Sequence, residues 1–241
     1  MTAPAPAPSF HRCVRQGLIH SVPFLLVILP FGLLFGVVAA GAGLSLAQIT
    51  GFTTLVLAGA SQFTAVQLMT ESAPVWLVIL SALAVNLRLM MYSASLVPHL
   101  GQARPRTRAL LAFFTIDQTY ALSIDQFQRR PEWDLSARLG YFTGTAIGLC
   151  VPWVAATVAG ATIGNALPAE LPLDFAVPIT FLAMIAPSLR TLAHVTAAAV
   201  SILLALALSG LPSGVGLLIA APCAMAAGAA VETWALRRAA S

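Results

Sequence analysis

Eight apolar segments separated by short polar loops take up nearly all of this chain, and a bilayer is the solvent that suits such a run. They cover residues 18–40, 47–69, 75–98, 109–124, 139–163, 175–186, 192–208 and 215–231. In hydrocarbon no water satisfies backbone N–H and C=O groups. Each segment must therefore be a helix, or a broken helix whose freed groups find partners within the protein. The chain is 59% hydrophobic and 8% charged, where a soluble domain carries about 25% charge. It reads as an all-α integral membrane protein, a polytopic helix bundle of six to eight crossings with some segments re-entrant or broken. A disordered Pro/Ala-rich cytoplasmic leader (residues 1–16), one transmembrane domain (17–234) and a short basic tail (235–241) make up the organisation.

The charges orient the bundle. Every positive residue is Arg and none is Lys, which excludes a Walker A nucleotide site. The net charge of +4 sits mostly in short loops, as membrane orientation requires, and does not indicate nucleic-acid binding. The segment at 18–40 is too long for a signal-peptide core and reads as a retained span behind a cytoplasmic N-terminus. If segments 47–69 and 109–124 are re-entrant, six crossings remain. Every arginine except Arg88 then faces the cytoplasm, and the acidic 170–174 loop faces out. Full alternation over seven or eight spans would put the basic loop Arg104-Pro-Arg-Thr-Arg108 outside. Both topologies stand at this point. Cys13, Cys150 and Cys223 lie far apart and suggest neither a disulfide framework nor a zinc site, and no motif calls for a cofactor.

The segment at 75–98 carries a guanidinium, Arg88, past its middle with no acidic residue beside it. A charge at that depth costs at least ~2.5–3.5 kcal/mol, so it needs a partner or a wet cavity. Ser81, Arg88, Tyr92, Ser95 and His99 fall on one helical stripe, while Asn86 and Ser93 lie on another side. Asp117, in segment 109–124 with Tyr120 one turn on, is the natural counterion. Two readings follow. The pair is a structural salt bridge, or both charges line a site where Arg meets a carboxylate and Asp an ammonium, the two ends of a zwitterion. In segment 47–69, Gly59-Ala60-Ser61-Gln62-Phe63 marks an unwound point. Its polar groups either satisfy freed backbone or bind a ligand. His99 and His194 read as helix-end residues. Gly140, Gly144 and Gly148 form a helix-packing ridge, against this chain or a partner. A passive channel would need a polar ring or filter, and none is visible. An intramembrane serine protease would have to use Ser61 and His194, but the glycine of a nucleophile elbow is missing after Ser61.

Ala58-Gly59-Ala60-Ser61-Gln62-Phe63, Asn86-Leu87-Arg88-Leu89-Met90-Met91-Tyr92 and Asp117-Gln118-Thr119-Tyr120-Ala121, in that order and spacing, resemble the AzlC/YgaZ family of branched-chain amino-acid exporters. The likeness runs from about Gly17 to Trp234 and is strongest in the first half. It implies a secondary exporter of Leu, Ile, Val and Met in a bacterial inner membrane, working with a small hydrophobic membrane subunit of the AzlD type. The candidate substrate-binding residues are Ser61, Gln62, Asn86, Arg88, Tyr92, Asp117 and Tyr120. Two departures bear on coupling. Members usually carry His directly after the motif arginine, where this chain has Leu89, and an Asp-Glu pair where it has Asp117-Gln118.

Overall fold

The computed structural model of the chain describes residues 8–164, 189, 191–210 and 215–239. Among these the regular elements are all α-helices: α1 (Phe10–Gly41), α2 (Leu46–Leu55), α3 (Gly59–Thr70), α4 (Val75–Val85), α5 (Leu87–Leu100), α6 (Pro105–Phe113), α7 (Asp117–Arg129), α8 (Leu135–Gly164), α9 (Leu192–Ala207) and α10 (Val215–Ala239). Three stretches among the described residues, Phe10–Gly41, Val75–Leu100 and Leu135–Gly164, are long and apolar enough to cross a membrane. Large apolar side chains stand on outer faces, among them Leu26, Trp76, Leu83, Val151, Leu203 and Leu206. Such a surface suits hydrocarbon and not water. The fold is thus that of a polytopic helical membrane protein, and its helices gather into two units, Met1–Gln62 with Asn86–Ala169, and Phe63–Val85 with Glu170–Ser241.

The first unit is built on the pairing of α1 with α8. Both facing surfaces are cut back to glycine. A methyl group added at Gly140 would sit 2.6 Å from the Phe10 carbonyl oxygen, and at Gly144 it would run into the Val14 backbone. From the other side, Gly17 receives the Tyr141 backbone and Gly36 that of Thr157. Main chain therefore lies on main chain, and dispersion with Cα–H···O contacts takes the place of side-chain interdigitation. The ridge of Gly140, Gly144 and Gly148 is occupied by α1 of the same chain. That helix takes in residues 10–16, which composition alone placed in the leader, and Phe10, Cys13 and Val14 supply the contacts. Polar groups fasten α8 to both α1 and α2. His20 Nδ1 and the Tyr141 hydroxyl are 2.9 Å apart, and Trp153 Nε1 donates to Thr53 Oγ1 of α2 at 2.9 Å. Cys13, Leu96, Phe127, Trp133 and Tyr141 join α1, α5, α7 and α8 in one buried cluster.

Segments 47–69 and 109–124 are each two helices and not one. The first breaks between Leu55 and Gly59, the second between Phe113 and Asp117. Segment 75–98 is interrupted by a single turn residue, Asn86, and its helix runs on through Pro98 to Leu100. The basic stretch expected as a loop is mostly the first turn of α6. Pro105 holds the N1 position, where its missing N–H leaves no bond unmade. Two helices end in the same way. At α1, Gly43 takes φ +83° and its N–H reaches Ala40 O while Leu44 N–H reaches Ala39 O. At α3, Ser72 takes φ 56°, with Ser72 N–H on Met69 O and Ala73 N–H on Leu68 O. Both are left-handed caps that satisfy the last carbonyls.

In the second unit α9 packs on α10, and α4 also touches α10. Gly228 admits Ala193 and Ala197, and the Thr191 hydroxyl caps α9 by accepting from His194 N–H at 3.2 Å. His194 is exposed at that helix start. Segment 175–186, the acidic 170–174 loop and Arg190 lie outside the described residues.

Candidate functional site

The break before α7 places Asp117 at the first position of a helix, where the carboxylate meets the positive end of the helix dipole. The break itself is held by hydroxyls. Thr119 Oγ1 donates toward Phe114 O and Ile116 O (both 3.0 Å) and accepts from Ile116 N–H at 2.8 Å, while Thr115 Oγ1 donates to Leu111 O at 2.8 Å. Across from it, Arg88 lies in the first turn of α5, and its Nη2 is 3.0 Å from Asp117 Oδ2. The pair is only half-buried, with side chains 35% and 42% exposed. One ion pair does not use up either group. Arg88 Nε and Asp117 Oδ1 are buried atoms without a hydrogen-bond partner. Tyr92 also interacts with the Asp117 carboxylate, and the two spare atoms lie on the covered side of a bridge whose other side solvent or a ligand can reach.

Two aromatic rings wall this pair. Tyr92, one turn above Arg88, stacks on Tyr120, one turn beyond Asp117, with centroids 4.2 Å apart and planes 8° from parallel. The Tyr120 hydroxyl donates to Ser95 Oγ at 3.1 Å, which fixes the stack to α5. Arg88, Tyr92, Asp117 and Tyr120 thus form one cluster between α5 and α7. Ser95 belongs to it as well. It shares the α5 stripe with Arg88 and Tyr92, and that stripe was the signal that could have placed it among the candidates.

Ser61, Gln62 and Asn86 form a second cluster at the α2–α3 break. Gln62 is wholly buried, and its Nε2 donates to Val56 O, a carbonyl that the end of α2 leaves without a helical partner, and at 3.4 Å to Phe52 O, which also accepts Val56 N–H. Ser61 Oγ donates to Ala58 O at 3.0 Å and accepts from Asn86 Nδ2 at 3.1 Å, so the two chain interruptions are tied together. No histidine is among these partners of Ser61. Gln62 Oε1 and Asn86 Oδ1 are left without donors. The α2 segment is held from behind by Thr53 on Trp153 and Thr157. Ser81, which shares the helical stripe of Arg88, is buried within the second unit.

The arrangement offers a charged pair with spare valences, a paired aromatic wall and a polar helix break. Comparison with known proteins fits that picture. The family described as "AzlC protein" matches residues 23–167, more than half of the chain. The chain is 28% identical over 218 residues to "Inner membrane protein YgaZ" of Escherichia coli (strain K12), with 87% of each chain covered. It is also 28% identical over 192 residues to an "Uncharacterized membrane protein" of Archaeoglobus fulgidus, covering 76% of this chain and 79% of that one. No solved structure matches.

Proposed function

The chain belongs to the AzlC protein family, and from that membership we propose that it is a secondary transporter exporting branched-chain and other small apolar amino acids, Leu, Ile, Val and Met, by alternating access. The single observation that supports this most is the half-exposed Arg88–Asp117 bridge with an unused donor on one side and an unused acceptor on the other. A zwitterionic amino acid presents the matching charges. Its carboxylate takes the guanidinium, its ammonium takes the Asp117 carboxylate, and the two replace one internal bridge with two external ones. Tyr92 and Tyr120 give the substrate side chain an apolar wall, which suits an aliphatic group and adds no charge to discriminate against.

Exchange between internal and external partners makes the bridge a switch as well as a site. With Arg88 and Asp117 joined, α5 is held to α7. With substrate between them the two helices are freed from each other at that point. The protein acts in this reading as the large subunit, with a small hydrophobic AzlD-type membrane subunit, in a bacterial inner membrane with its N-terminus cytoplasmic. Efflux of labelled Leu, Ile, Val and Met from cells or proteoliposomes, with and without that subunit, tests it. Saturable efflux that discriminates among amino acids is expected. Non-saturable, unselective leakage would make the protein a channel and overturn the proposal.

A further inference from the structure

A second feature of the first unit starts at the break that holds Asp117, with Thr115 in common, and runs from there to the turn between α5 and α6. The corner between α5 and α6 holds an open crevice of about 410 Å³. Its floor and walls are apolar along the middle, with Leu96 and Val97 from α5 and Ala112 from α6, and Ser93 and Thr115 close its inner end. Ser93 to Leu100 spans about 10 Å of α5, so the crevice runs roughly that far from the α5–α6 turn along α6 to Thr115, just past its end. Arg108 lines its mouth. Arg104 and Arg106 stand exposed on the same turn, and among the described residues none of the three forms a salt bridge. The N-terminus of α6 adds to this field. Its N-cap residue, Arg104, makes no side-chain cap, so the first-turn N–H groups have no acceptor from the residue that usually supplies one.

An occupant must therefore carry negative charge at one end and hydrocarbon at the other. The flank of the crevice shows where it comes from. Val97, Leu110 and Phe113 are exposed large apolar residues beside it, which in a membrane protein face lipid. We propose that this corner binds an anionic glycerophospholipid. Its phosphate sits on Arg106, Arg108 and the start of α6, one acyl chain lies in the crevice, and the other runs along Val97 and Leu110. Clustered arginines at a membrane edge attract such headgroups, and the crevice converts that attraction into a site.

The full chain in detergent, melted with added phosphatidylglycerol, phosphatidylcholine or free glycerol phosphate, tests this. Native mass spectrometry counts the lipid retained. The wild-type protein should keep phosphatidylglycerol with a preference over phosphatidylcholine of roughly tenfold or more, and melt higher with it. The variant Arg106→Gln/Arg108→Gln should lose the preference while its response to phosphatidylcholine stays the same. Ala112→Trp, which fills the crevice, should lose retention with the arginines intact. If Ala112→Trp does not fold, Val97→Trp narrows the same crevice from the lipid side. Equal retention of the two lipids, or a preference that survives the arginine variant, overturns the proposal. Protection by glycerol phosphate alone would reduce the corner to a plain anion site. A melting shift with leucine that Ala112→Trp removes would assign the crevice to substrate. Both would also overturn it.

Discussion

Removing one member of the Arg88–Asp117 pair strands the other, and the size of that effect follows from the geometry. At an effective dielectric of about 20, opposite charges about 4 Å apart attract by about 4 kcal/mol. With 35% and 42% of the two side chains exposed, much of that attraction is offset by hydration of the separated groups. Exposed pairs are worth about 0.2–1 kcal/mol, while a stranded partner of a buried pair costs about 3–5. This pair falls between, so a coupling of about 2 kcal/mol is expected, or roughly 4–8 °C in melting temperature for a chain of this size. The assay is a double-mutant cycle on melting temperature and on amino-acid efflux. Arg88→Ala and Asp117→Ala should each lower stability and abolish efflux. The double variant should recover most of the stability but none of the efflux, because the stranded charge is gone and the substrate still has no ligand. Arg88→Lys should transport poorly, since an ammonium cannot hold a carboxylate through two parallel bonds. Additive stability losses would refute the pairing. Efflux restored in the double variant would refute the binding role.

Gly144→Leu drives a side chain into the Val14 backbone, so the protein should fail to give a folded, monodisperse species in detergent. Gly51→Ala, with open space around it inside α2, should be neutral or stabilise by up to about 1 kcal/mol in the same melt. Gln62→Leu removes the donor that serves Val56 O and should cost about 1–3 kcal/mol in melting free energy, with Gln62→Asn recovering little because it is too short. For topology, Ser72→Cys should label from outside and Thr107→Cys from the cytoplasm in a Cys-free background. The reverse pattern would restore full alternation of the segments.

The sequence made some of this legible and hid the rest for physical reasons. Apolar length marks helices well, and Gly59, Ser61 and Gln62 signal a break because polar residues at membrane depth need a reason, but the unwound residues are 56–58 and the motif itself is the first turn of α3. The partner of the glycine ridge was not readable. Gly140 and Gly144 declare a close approach, but the helix that makes it is α1, far back in the chain. The same holds for Tyr92 on Tyr120 and for Trp153 on Thr53, contacts between helices that no local period encodes. The start of α6 is hidden because three arginines read as a solvated loop, while Pro105 at the first helical position is the better signal.

The seam between α1 and α8 also sets an order of events during synthesis. Of these two helices α1 is made before α8, so it is notched for a partner that does not yet exist, since about 130 residues separate Gly17 from Gly144. At about 5–20 residues per second the ribosome needs roughly 6–25 s to deliver that partner. Through this interval α1 must wait with its main-chain face open to lipid, to the insertion machinery or to a provisional neighbour. A chain arrested before Leu135 leaves the notch empty and gives quality-control proteases a handle on an orphaned span. Whatever gating the bundle performs, its assembly is gated first by the arrival of α8.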